Sequence, residues 1–191
     1  MIFKETALSS LRQALLTVPE AAFVAGVPDR FIQGEIDHHI LEPALRDGRR
    51  TVRGVDLLYL NAVSRYHAQM GLEFRRDVCR AIRYSVEHKQ PEARLSPFCV
   101  SIAEIQATVT KALAALDRMK RDHTESRPEV LGGEPVLKGT RLSLRFIADL
   151  AAQGATTEEL MDDFDLTKQQ VEAAVILARI NARRGRPAAR R

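Results

Sequence analysis

Residues 17–53 read TVPEAAFVAGVPDRFIQGEIDHHILEPALRDGRRTVR. Thr17 and Glu20 have the spacing of a capping box, in which the threonine hydroxyl and the glutamate carboxylate each satisfy an orphan backbone donor. Gly26 supplies a helix stop, and Pro28 suits the start of another helix. The spacing therefore predicts helices over 18–25 and 28–36 joined by a tight turn. Asp47-Gly48, flanked by apolar Leu45 and Val52, is a favoured pair for a two-residue hairpin turn. A hairpin is expected over 40–46 and 49–53. Asp56 is then expected to cap a helix that runs to near Gly71.

Two short helices, a hairpin and a further helix follow the order of a winged helix-turn-helix. Its second helix would enter the major groove and offer Asp29, Arg30 and Gln33 near its start. Arg46, Arg49 and Arg50 fall at the hairpin tip and Arg53 just beyond, where positive charge suits phosphate or minor-groove contact. The alternative is a small helical subdomain with solvated arginines. The E-A-A-x-x-A-G-V core, the short polar helix and the D-G-R hairpin together resemble the winged helix of MerR-type regulators. That resemblance implies operator DNA as a partner.

Outward from this stretch the chain stays mainly α. LEFRRDVCRAIRYSVEH reads as a helix ending before Pro91, and 89–97 as a loop. Ser101 and Glu104 form a second capping box. Ile102, Ile105, Val109, Ala112, Leu116 and Met119 then recur at alternating steps of three and four. That is either a core-facing helix or a dimer seam. The polar run near 121–128 marks a boundary.

Beyond it, EVLGGEPVLKGTRLSL predicts two extended stretches around Gly132-Gly133. Ser143 can cap one helix, which Gly154 ends. Thr156/Glu159 and Thr167/Gln170 can cap two more, giving a trihelical unit. LGGEPVLKGTR (131–141) has the residue types of a phosphate cradle, but a P-loop needs lysine directly after its last glycine. Lys138 precedes Gly139 here, and Pro135 removes a backbone donor, so the nucleotide-binding reading fails on mechanism.

The motif G-G-x-P-V-x-K-G-T-R, carried by Gly132, Gly133, Pro135, Gly139, Thr140 and Arg141, precedes Q-G-x-T-x-E-E-L with Gly154 and Glu159. Over about 127–180 this resembles a homeodomain-like bacterial family long catalogued as a domain of unknown function, which supplies VapB-type antitoxins. The resemblance implies a PIN-domain ribonuclease of the VapC type as partner, autoregulation of the operon, and no catalysis by the motif.

Residues 179–191 hold six arginines and no acid, after six acids and one base in 155–178. Such a tail is an arm for something anionic. Arg179, Arg183, Arg184 and Arg186 could pair with the carboxylates of a nuclease metal site, bind nucleic acid, or merely solubilise the chain. The expected division is 1–71 winged helix-turn-helix, 72–126 helical connector and dimerisation region, 127–180 homeodomain-like domain, and 181–191 basic tail.

Composition adds bounds. The chain has 191 residues, 45% hydrophobic and 28% charged, with a formal net charge of +4. Those values suit a soluble protein, with no apolar run long enough for a membrane span. Cys79 and Cys99 are the only cysteines, and with no signal sequence evident the cytoplasm is the expected compartment. Cys79 reads as packing. The adjacent Asp37, His38 and His39 do not converge as metal ligands, so neither metal nor cofactor is expected, and no catalytic constellation emerges. The functional expectation is a dimeric, DNA-binding antitoxin. Its rival is a dimeric transcription regulator without a toxin partner.

Overall fold

The computed structural model describes residues 11, 13–46 and 48–181. It is mainly helical, and the chain divides into two compact units, 1–114 and 115–191.

In the first unit β1 (Leu15–Thr17) leads directly into α1 (Val18–Ala25). Thr17 accepts the Glu20 amide at 3.5 Å, and Glu20 accepts the Thr17 amide at 2.7 Å. The capping box thus turns a strand end into a helix start. Gly26 closes α1 with φ +71°, and α2 (Asp29–Asp37) follows Pro28. The hairpin is β2 (Ala44–Arg46) and β3 (Arg49–Arg53), paired Leu45 to Arg50 and Arg46 to Arg49. Asp47 lies outside the described residues. The sheet has three strands rather than two, ordered β1-β3-β2, because β1 pairs with β3 through Leu16 and Val52. Both of those residues are buried.

Helix α3 (Asp56–Val63) is shorter than expected, and turns carry the chain to α4 (Leu72–Glu87). Ala21, Ile32, Leu57, Leu58, Leu60 and Ile82 are fully buried in this unit's core. Each such leucine or isoleucine contributes about 1.5–3 kcal/mol by leaving water.

Two expectations fail here. Asp56 does not cap α3: the N-cap is Val55, without a side-chain bond. Asp56 instead accepts Arg83 Nε and Nη2 at 3.2 and 2.8 Å. A pair in which both partners are charged, with two donors, outcompetes the bond to a neutral backbone amide that a cap would make. The segment 89–97 is not a loop throughout, since β4 (Glu92–Leu95) and β5 (Phe98–Ser101) form a hairpin across the turn. Ala93 packs at its inner face, and the Ser85 hydroxyl ties β4 to α4 by donating to the Glu92 carbonyl at 3.0 Å.

Helix α5 (Ile102–His123) carries the boundary between the units. Ile102, Ile105, Val109 and Leu116 of its seam are buried, while Ala112 and Met119 are half-buried.

In the second unit β6 (Thr124–Glu125) pairs antiparallel with β7 (Val136–Leu137). The expected pair of strands around Gly132-Gly133 is therefore corrected. The first strand lies earlier, and a 3-10 turn, Leu131–Gly133, occupies the place of the simple glycine turn. Three helices follow: α6 (Leu144–Ala152), α7 (Thr157–Phe164) and α8 (Lys168–Ile180). Their N-caps are Ser143, Thr156 and Thr167, each accepting the amide three residues on, and the last two complete full capping boxes. Helix α6 packs on α8, and Phe146 meets Phe164 edge to face at 5.5 Å. Val136, Leu137, Ile147, Leu160, Ala174 and Leu177 form this core.

Candidate nucleic-acid interface

Helix α2 presents polar residues on one side and is anchored by the other. Ile32 and Ile36 are buried, as spacing of four on one face dictates. Between them the buried carboxylate of Glu35 accepts the Tyr59 hydroxyl from α3 and Arg75 Nε, at 3.0 Å, from α4. Arg75 also donates to the Met70 carbonyl at 2.7 Å, and its guanidinium lies 5.7 Å from the Phe31 ring centroid. Burial first, and then the bond to Glu35, push the Tyr59 hydroxyl far above its ordinary 10.0. It therefore stays a donor at any physiological pH. One carboxylate thus fixes α2 against two other helices. The sequence held a signal for it, a lone acid between Ile32 and Ile36 on an apolar helix face.

Held in this way, α2 leaves Asp29 and Arg30 exposed and Gln33 half-buried. Its N-cap, Pro28, makes no side-chain bond, unlike Thr17 at the start of α1. The first amides of α2 are therefore not capped by a side chain.

The hairpin arginines Arg46, Arg49, Arg50 and Arg53 are all exposed. They are not equivalent. Arg50 pairs with Asp37 at the end of α2, 3.2 Å away, and Arg53 with Glu42 at 3.7 Å. Arg30 and Arg49 have no ion-pair partner among the described residues. Exposed pairs of this kind contribute about 0–1 kcal/mol and are easily exchanged for another anion. The hairpin and the α2 end thus share a basic surface with two cations already matched by carboxylates.

The motif residues of the second unit form a closed turn. Gly132, Gly133 and Gly139 take φ of +64°, +83° and +79°. Thr140 folds the turn on itself: its hydroxyl donates to the Leu137 carbonyl at 2.9 Å and accepts the Leu142 amide at 3.1 Å. The Gly133 amide is used by the Val130 carbonyl, 3.0 Å away. The Gly139 amide goes to Glu125 Oε1 at 2.9 Å, which Arg127 also contacts at 2.6 Å. The Gly139 bond is the main reason the Glu125 carboxyl lies below its ordinary value. A carboxylate on the donor that a phosphate would need leaves no anion cradle here. Lys138 reaches back to the Arg121 carbonyl at 3.4 Å, and Arg141 is exposed. Pro135 is half-buried, and its carbonyl accepts the Leu144 amide at the start of α6.

Of the basic-tail candidates, Arg179 is exposed in the last turn of α8. Arg183, Arg184 and Arg186 lie outside the described residues. Cys79 is buried and its thiol is pushed up to about 12, chiefly by burial, whereas Cys99 is exposed. No group of three or more His, Cys, Asp or Glu side chains converges among the described residues. No helix among them is long and apolar enough to cross a membrane.

Residues 125–178 match DUF433, a family described as protein of unknown function. The match opens on Glu125, the residue that holds Gly139, and spans the motif and the three capped helices. It agrees with one part of the resemblance read over about 127–180, a domain long catalogued as of unknown function. An uncharacterized protein, y4eO, of Sinorhizobium fredii (strain NBRC 101917 / NGR234) is 29% identical over 194 residues, covering 90% of this chain and 84% of the relative. Among solved structures, the X-ray crystal structure of Rv2018 from Mycobacterium tuberculosis aligns with 84% of this chain and 96% of its own at 14% identity, with a TM-score of 0.34.

Proposed function

We propose that this chain is a DNA-binding antitoxin. In this reading α2 and the β2–β3 hairpin bind operator DNA, and the chain acts as a homodimer. The observation that carries the DNA part is the joint surface: Arg30 on α2 and Arg49 on the hairpin are exposed without carboxylate partners among the described residues. Nearby, Arg50 is tied to the end of α2 itself. Phosphate contacts from such arginines set affinity and register, and the side chains at the start of α2 read base edges.

The toxin part rests on the resemblance of the second unit to VapB-type antitoxins. The arginines at and beyond the end of α8 would meet a PIN-domain ribonuclease of the VapC type. A guanidinium can pair bidentately with the carboxylates that hold the nuclease's metal, substituting one positive charge for another. Covering the RNA channel would have the same effect. Joining both activities in one chain couples toxin level to repression.

The test is co-expression with the product of the adjacent gene. Rescue of growth and co-purification of the two proteins are expected, with both lost on truncation after Asn181. No rescue and no complex, with DNA binding intact, would leave a dimeric transcription regulator without a toxin partner. The same basic surface supports that second reading.

A further inference from the structure

Leu45 is 75% exposed, more than any other exposed large hydrophobic of the described chain; Tyr66, the next, is 58% exposed. It lies on β2, an edge strand of the three-stranded sheet. Single exposed leucines are common, and this one is set apart by its surroundings. It stands directly across from Arg50 in the register, with the Arg46–Arg49 pair next along the hairpin. Opposed residues of an antiparallel pair share a face, so Leu45 shares its face with Arg50, whose guanidinium reaches Asp37 on α2. A bare apolar side chain on an edge strand is a liability for self-association. With Arg50 across from it and the Arg46–Arg49 pair beside it, this face suits a partner that offers both negative charge and an apolar surface.

Duplex DNA offers both. We propose that Leu45 is an apolar wedge that enters the minor groove flanking the site of α2 and partly unstacks a base step, while the neighbouring arginines hold the phosphates. The proposal rests on the DNA reading above. With α2 in the major groove, the hairpin, whose Arg50 reaches Asp37 at the end of that helix, would lie toward the adjoining groove. Inserted leucines of this kind favour steps that unstack at low cost, pyrimidine–purine steps above all. Leu45 would then confer sequence preference without hydrogen bonding to any base.

The test uses the full chain and duplexes that it selects from a random-sequence pool. Leu45→Ala should weaken binding roughly ten-fold or more, the worth of burying a leucine. Its salt dependence should stay unchanged, because no phosphate contact is lost. A 2-aminopurine placed step by step along the duplex should brighten at one step with the wild type and not with Leu45→Ala. Circular dichroism should show the variant folded as the wild type. If the wild type selects no duplex, the DNA reading itself fails. Should the wild type bind while Leu45→Ala binds equally well with unchanged 2-aminopurine emission, the wedge is refuted and DNA binding stands. If Leu45→Ala instead changes the sedimentation of the free protein, Leu45 belongs to a contact between copies, and the wedge is again refuted.

Discussion

Asp56 and Arg83 show how a charge inside the fold sets a pH dependence. Asp56 is 2% exposed, and its Oδ2 has no partner. Burial pushes its carboxyl above 3.8, and Arg83 pulls it back only in part. A folded value above the unfolded one means that the folded chain binds this proton more tightly. The stabilisation is then complete below 3.8 and is lost as pH rises through the folded value. Denaturant melts of wild type and Asp56→Asn should accordingly diverge as pH rises from below 3.8, with the wild type losing stability relative to the variant. A constant difference would show the shift to be absent. Arg83→Leu leaves a buried carboxylate unpaired and should cost about 3–5 kcal/mol at neutral pH. Gly54 is a second residue whose role is steric. A methyl group built there would fall onto the carbonyl oxygen of Leu11, and the Gly54 amide donates to Ala14 at 2.8 Å. Gly54→Ala should destabilise by about 1–3 kcal/mol, as overpacking does, read by thermal melting. Neither role was legible in the sequence: Asp56 looked like a cap because caps are local, whereas Arg83 and Leu11 come near only after folding.

At the scale of elements, what could be read was what is decided within four residues. The Thr17/Glu20, Thr156/Glu159 and Thr167/Gln170 boxes form as their spacing requires. The β2–β3 hairpin forms because Gly48 allows the turn, with φ +71°. The three-residue β1 and the β4–β5 hairpin were not legible. Strands of three or four residues are too short to show a period of two, and their pairing is set by partners elsewhere. The motif loop lies between these cases. Its glycines announced turns, but not that Glu125 would take the Gly139 amide. Gly139→Ala should cost about 1 kcal/mol, since an L side chain at φ +79° is strained. Lys138→Ala, removing an exposed contact, should stay within about 0.5 kcal/mol. Equal melting temperatures for the two variants would contradict this account of the turn.

Across the whole molecule the chain combines two compact units with an uneven charge distribution. Four hairpin arginines were legible as a basic tip, but the pairing of Arg50 with Asp37 and Arg53 with Glu42 was not. It sets Arg50 and Arg53 apart from Arg49, which has no ion-pair partner among the described residues. The central claim is that α2 and the hairpin, rather than the arginine tail alone, bind DNA. Its most direct test is fluorescence anisotropy with a labelled duplex from upstream of the gene, across a salt series. The full chain, Arg49→Ala and the chain ending at Asn181 would be compared. Affinity should fall linearly on logarithmic axes as salt rises, and Arg49→Ala should shallow that slope by about one. The chain ending at Asn181 should still bind. Loss of all binding on removal of the tail, with Arg49→Ala indistinguishable from wild type, would contradict the account.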